Sequence, residues 1–145
     1  MIPENEAAPD EFSVVMERSR AACEALSQDH DNLKRDILAH AGSRWTLGIV
    51  YALGVHGTLR HAELARQLEG ITQRMLTRSL RQLERDGLVA RRDHQEVPPR
   101  VDYTLTGLGK GLLVGMMPLW SWVIDNADQF RAARDAFDSA SDPFP

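Results

Sequence analysis

Gly70-Ile71-Thr72-Gln73-Arg74-Met75-Leu76-Thr77-Arg78-Ser79-Leu80-Arg81-Gln82-Leu83-Glu84-Arg85-Asp86-Gly87 decides the fold. Thr72 is a helix N-cap residue and Gly87 a helix stop, so a helix is expected from Thr72 to about Asp86. Leu76, Leu80 and Leu83 recur at helical spacing and form its inward stripe, with Met75 at the edge. Ile71 before the cap and Leu76 at the fourth helical position suit a hydrophobic staple. The opposite face presents Gln73, Arg74, Thr77, Arg78 and Arg81. It holds three arginines and no acid, since Glu84 and Asp86 come only in the last turn. Taken alone, such a face is merely solvated.

Its neighbours change that reading. Upstream, His61 to Leu68 carries Ala62, Leu64, Ala65 and Leu68 as the apolar set of a short helix. Glu69-Gly70-Ile71 then makes a tight turn, and two helices joined in this way form a helix-turn-helix. Downstream of Gly87 the period changes from 3.6 to 2. Leu88 to Arg92 reads as a strand, Asp93 to Pro99 as a loop that proline keeps unpaired, and Arg100 to Leu105 as the returning strand. A hairpin after a helix-turn-helix is a wing. The expected fold class is mainly α with a small β-hairpin, a winged helix-turn-helix with N- and C-terminal dimerisation helices.

Further outward the signals weaken. Residues 1–10 are polar with two prolines and read as a disordered lead. From Glu11, the residues Phe12, Val15, Met16, Cys23 and Leu26 fall on a helical stripe, and a break is expected at Gln28-Asp29-His30-Asp31. A second helix carries Leu33, Ile37 and Leu38. A third, from Trp45 to the glycines at 54 and 57, is apolar almost all round and marks the centre of the core. Thr106 caps a last helix, which Pro118 is expected to kink or break. That helix resumes with Trp120, Ile124, Ala127, Phe130 and Phe137, and Ser141 to Pro145 read as a frayed tail. This stripe is longer than one compact domain needs, so a homodimer is expected to bury it together with the Phe12–Leu26 helix.

The chain has 145 residues, 43% hydrophobic and 26% charged, the composition of one globular domain. The uncharged runs Trp45–Leu59 and Gly111–Ile124 fall short of the roughly 18 apolar residues of a spanning helix. The first residues show no signal-peptide pattern, and a cytoplasmic, nucleoid-associated protein is expected. Net charge is −4 but unevenly placed: −5 over residues 1–43, +4 over 44–117 and −3 over 118–145. These segments delimit the expected organisation: lead (1–10), N-terminal helices (11–43), winged-helix core (44–117) and C-terminal dimerisation helix (118–145). A basic module between acidic flanks steers toward phosphates.

Other constellations carry less. Cys23 is the one cysteine, and its place on an apolar stripe favours a buried structural thiol over a redox sensor. His30, His40, His56, His61 and His94 form no metal-ligand pattern, so no metal and no cofactor are expected. Gly107-Leu108-Gly109-Lys110-Gly111 lacks the spacing and hydroxyl of a phosphate-cradling loop. No nucleophile, base and orienter come together, so no enzymatic activity is expected.

The remaining candidates follow from DNA chemistry. Arginine and glutamine have the donors that read guanine and adenine edges, and a threonine meets a thymine methyl. The helix start at Thr72 and Gln73 suits a phosphate oxygen. In the wing, Arg91, Arg92, His94 and Arg100 either contact phosphates and the minor groove or, for Arg100, pair with Glu96 or Asp102.

Five segments stand out together: Gly42-Ser43-Arg44-Trp45-Thr46-Leu47, Arg60-His61-Ala62-Glu63-Leu64, Gly70 to Thr77, Leu83-Glu84-Arg85-Asp86-Gly87-Leu88-Val89 and Glu96 to Thr106. They resemble the HxlR-type winged-helix transcriptional regulators, relatives of the MarR group. The resemblance covers roughly residues 32–122. It implies a homodimer on operator DNA with terminal helices at the dimer interface. Two departures stand out: Asn32 occupies the place of the cysteine of thiol-sensing members, and His61 replaces a common phenylalanine. The missing thiol turns attention to a small apolar or aromatic ligand near Trp45, Tyr51 and Trp120. The expected function is a sequence-specific regulator, a repressor rather than an activator, on double-stranded inverted-repeat DNA. The alternative is a degenerate winged helix that serves as a protein-interaction module.

Overall fold

The computed structural model describes residues 9–141. Most of the expected polar lead and the last four residues of the expected frayed tail lie outside them. Helices α1 (Pro9–Glu24), α2 (Gln28–Gly42), α3 (Arg44–His56), α4 (His61–Gln67) and α5 (Gln73–Arg85) are interrupted only by a short strand, β1 (Leu59–Arg60). The hairpin β2 (Val89–Asp93) and β3 (Val101–Leu105) follows, then α6 (Gly107–Asp125) and α7 (Ala127–Ser141). The chain divides into two units: Asp36–Trp120, and the residues before and after it.

The central unit is built around α3. Its Ile49, Val50 and Leu53 meet Leu64 of α4, Leu76, Leu80 and Leu83 of α5, and Leu88, Val89, Tyr103 and Leu105 at the sheet. The three-leucine stripe expected on α5 is therefore the core-facing stripe. The helix is capped at both ends. The Thr72 hydroxyl accepts a hydrogen bond from the Met75 amide at 3.1 Å. At the other end Gly87 takes φ +75°, and Leu88 N donates to Leu83 O at 2.9 Å while Gly87 N donates to Glu84 O at 3.1 Å. That double closure needs a left-handed residue, which glycine adopts without a Cβ penalty. Thr72→Ala is expected to cost about 1 kcal/mol, measured as a lower urea midpoint with unchanged slope.

The sheet has three strands in the order β1-β3-β2, all antiparallel. The third strand, β1, was not expected, because two residues carry no readable period. It pairs Leu59 with Tyr103 and Arg60 with Asp102. On the other side β2 pairs Arg92 with Asp102. Asp102 thus sits between two arginines on the central strand.

Three boundaries differ from expectation. Asp10 already lies in α1 instead of in a disordered lead. The break before α2 falls at residues 25–27, because Ser27 caps the helix: its hydroxyl accepts from the His30 amide at 3.3 Å. Asp29 and Asp31 then sit in the first turn, where the helix dipole favours acids. The last helix does not break at Pro118, which lies inside α6. It breaks at Asn126, whose side-chain amide and backbone N–H both donate to Trp122 O, at 2.8 and 3.1 Å. A missing donor at proline leaves one carbonyl unpaired, whereas a side chain that closes its own turn gives the chain an alternative to the helix.

In the flanking unit Phe12, Val15 and Met16 of α1 and Ile124, Phe130 and Phe137 of α6–α7 are exposed. Trp122 packs edge-on against Phe130, centroids 5.4 Å apart. Cys23 is exposed too, which corrects the expectation of a buried thiol. The stripe it belongs to is itself uncovered in the single chain. At 19 residues α6 outruns its uncharged stretch and is long and apolar enough, by length and composition, to cross a membrane.

Candidate nucleic-acid interface

With its leucines in the core, α5 must turn its other face outward. Gln73, Arg74, Thr77, Arg78, Arg81, Gln82 and Arg85 line one open concave surface. The five residues expected on this face are all there. Gln82 and Arg85 were missed, although four-residue steps from Arg78 and Arg81 reach them. Among the described residues none of Arg74, Arg78 and Arg81 is engaged in an ion pair. Their guanidinium donors are free for a ligand.

Two side chains reach this helix from elsewhere. His61 at the start of α4 meets Thr77 across the turn, Nε2 to Oγ1 at 3.2 Å. His40, buried in the last turn of α2, meets the C-cap residue Asp86, Nε2 to Oδ2 at 2.6 Å. Thr46 of α3 donates its hydroxyl to the His40 carbonyl at 3.0 Å. Helix α5 is therefore held in its second turn and at its C-cap by histidines distant in sequence.

The wing divides its basic residues into two kinds. Arg91 and Arg92 are exposed on β2, Arg91 lying 4.0 Å from Asp93. His94 and Arg100 turn toward the buried carboxylate of Asp102. His94 Nε2 lies 2.7 Å and an Arg100 terminal nitrogen 3.4 Å from Asp102 Oδ2, and Arg60 Nε approaches Oδ1 at 3.8 Å. Of the partners left open for Arg100, the structure shows Asp102. His94 N donates to Arg100 O at 2.9 Å, which closes the loop between them. The carboxylate is thus a hub holding the wing to β1.

The His94 hydrogen bond holds the Asp102 carboxyl below the usual carboxylate range, opposed by desolvation and aided by the Arg100 charge. A depressed folded-state value means the contribution is present in full above the unfolded carboxylate pKa of about 4 and is lost as pH falls through the folded value. Asp102→Asn is expected to lower the urea midpoint at neutral pH. The gap to wild type should close below about pH 4. A gap independent of pH would remove the carboxylate from this role.

The aromatic set does not gather in one place. Tyr51 and Trp120 pack with centroids 5.4 Å apart. Trp45 lies six residues from Tyr51 on α3, on another face, and carries Arg44 over its ring at 4.7 Å.

Residues 40–131 match the HxlR-like helix-turn-helix family. The helix-turn-helix-type transcriptional regulator YtfH of Escherichia coli (strain K12) is 39% identical over 101 residues, covering 70% of this chain and 79% of that protein. A solved MarR-family regulator from Enterococcus faecalis V583 is 37% identical, covers 74% of this chain and 96% of its own, and gives a TM-score of 0.61. The redox regulator HypR in its reduced form gives 0.61 at 36% identity, covering 66% and 94%. The overall fold is thus shared with solved transcriptional regulators. The chain belongs to the HxlR-like helix-turn-helix family and is a winged-helix DNA-binding transcriptional regulator.

Proposed function

We propose that the protein acts as a homodimeric repressor, each protomer placing α5 in a major groove of an inverted-repeat operator and its wing along the flanking groove. The observation that carries this reading is the acid-free face of α5, whose Arg74, Arg78 and Arg81 make no ion pair among the described residues and which is backed by a leucine core. Arg74, Arg78, Arg81 and Gln73 supply base-edge donors, and the amides after Thr72 meet a phosphate. Arg91 and Arg92 contact the backbone directly. His94 and Arg100 serve through the Asp102 hub that shapes the wing.

The exposed apolar faces of α1, α6 and α7 support the dimer, since a soluble monomer seldom leaves so many large apolar side chains uncovered. A second copy covers them and accounts for the apolar character of α6. Binding across the operator blocks polymerase, in the cytoplasm and on the nucleoid. The half-exposed Tyr51 offers, with Trp120, the aromatic surface for a small apolar or aromatic effector.

The test is recovery of sheared genomic DNA by the purified protein, followed by sequencing. The expected product is a short inverted repeat with half-sites about 10 base pairs apart, or a multiple of that. Uniform recovery without a motif, or none at low salt, would overturn the proposal.

A further inference from the structure

The contact between His61 and Thr77 fixes more than a distance. In a helix, threonine divides between two rotamers, because its hydroxyl can bond a carbonyl of the preceding turn. Thr77 lies on the exposed concave face of α5, and its Oγ1 is engaged by His61 Nε2 at 3.2 Å. Whichever partner donates the proton, Oγ1 faces the ring. Hydroxyl and methyl diverge tetrahedrally from Cβ, so the methyl cannot point the same way. The hydroxyl of Thr77 is thus turned toward the protein.

We propose that His61 is a positioning residue that selects one Thr77 rotamer, so that the threonine methyl, not the hydroxyl, is offered to DNA and each protomer prefers a thymine at one step of its half-site. This rests on the reading of α5 as the groove helix. A threonine with a free hydroxyl would bond several bases, whereas a methyl recognises only the C5-methyl of thymine by apolar contact. His61 itself need not touch DNA.

The experiment uses the full-length protein and the most enriched genomic duplex, synthesised with deoxyuridine replacing each thymine in turn. That replacement deletes the C5-methyl and leaves the hydrogen-bonding edge intact. One thymine per half-site is expected to lose about fourfold in affinity on replacement, the equivalent of one buried methyl group. Thr77→Ser keeps the hydroxyl and is expected to abolish that discrimination. His61→Ala is expected to shrink it, because the freed threonine regains its second rotamer. His61→Gln retains a side-chain amide for Oγ1 and keeps it. Thr77→Val in the His61→Ala background restores it, since valine carries a methyl in both positions.

A purely structural role for His61 would weaken binding to both duplexes equally and leave the thymine-to-uracil ratio unchanged, which would overturn the proposal. So would the absence of any discriminating thymine in a protein whose affinity Arg74→Ala still reduces. If the arginine variant and the uracil series are both silent, α5 is not the reading helix and the two proposals fall together.

Discussion

Removing Arg74 and Arg78 together is expected to abolish operator recognition while the fold survives. Each arginine that pairs with a guanine contributes on the order of 1–3 kcal/mol of discrimination, roughly 5- to 150-fold. The two lie one turn apart on the same face, so their effects need not add. A loss between about 10- and 10,000-fold per half-site brackets the double substitution. Neither side chain is in an ion pair among the described residues, and both are exposed, so melting should hardly move. Fluorescence anisotropy on the operator and on a scrambled duplex, over a series of salt concentrations, separates the possible roles. An arginine that reads a base loses operator affinity but keeps its non-specific binding. An arginine that meets only phosphate weakens both and lowers the salt slope by about 0.9 per contact. Unchanged affinity on both duplexes would remove α5 from the interface.

This helix was also the part most readable in the sequence, for a physical reason. Thr72 and Gly87 punctuate it, three leucines set its phase, and the arginine face follows from that phase alone. The period change at Gly87 revealed the hairpin by the same logic. What escaped the sequence is what depends on distant contacts. β1 is two residues long and exists because β3 offers it an edge. His61 and Thr77 are 16 residues apart, and His40 and Asp86 are 46 apart; no local pattern joins them. Asp102 is legible in the sequence only as one of two possible partners for Arg100; that Arg60, Arg92 and His94 also neighbour it depends on strand pairing and loop closure. Local errors came where one signal stood for two structures. Gln28 to Asp31 looks like a polar turn, yet after a capping serine it is an acidic first helical turn. The exposed stripe of α1 shows the limit from the other side: periodicity identifies an apolar face but not what covers it.

Gly109→Ala is expected to be the most damaging methyl that can be added where α6 packs on the base of the wing. A Cβ at this position would lie 2.1 Å from the Leu88 carbonyl oxygen and 3.0 Å from Leu105 Cδ2. A leucine side chain can move aside; the Leu88 backbone cannot easily do so. Its N–H is held by Leu83 O at 2.9 Å, and its carbonyl accepts from Thr106 N at 3.1 Å. The Thr106 hydroxyl caps the same turn, donating to Gly87 O and accepting from Gly109 N. Room for the methyl therefore requires the first turn of α6 to lift off the base of β2 and break part of this set. Overpacking costs about 1–3 kcal/mol, and each lost hydrogen bond adds about 1 kcal/mol. A loss of about 3 kcal/mol or more would lower the melting temperature by on the order of 10 °C. Gly111 supplies the control, because a Cβ there meets nothing within 4 Å. In a helix interior that substitution is expected to stabilise by about 0.5–1 kcal/mol. Melting both variants at one protein concentration keeps any dimer linkage constant. Opposite shifts would locate the constraint at the Leu88 carbonyl, whereas equal shifts would reduce it to the general cost of changing a glycine in α6.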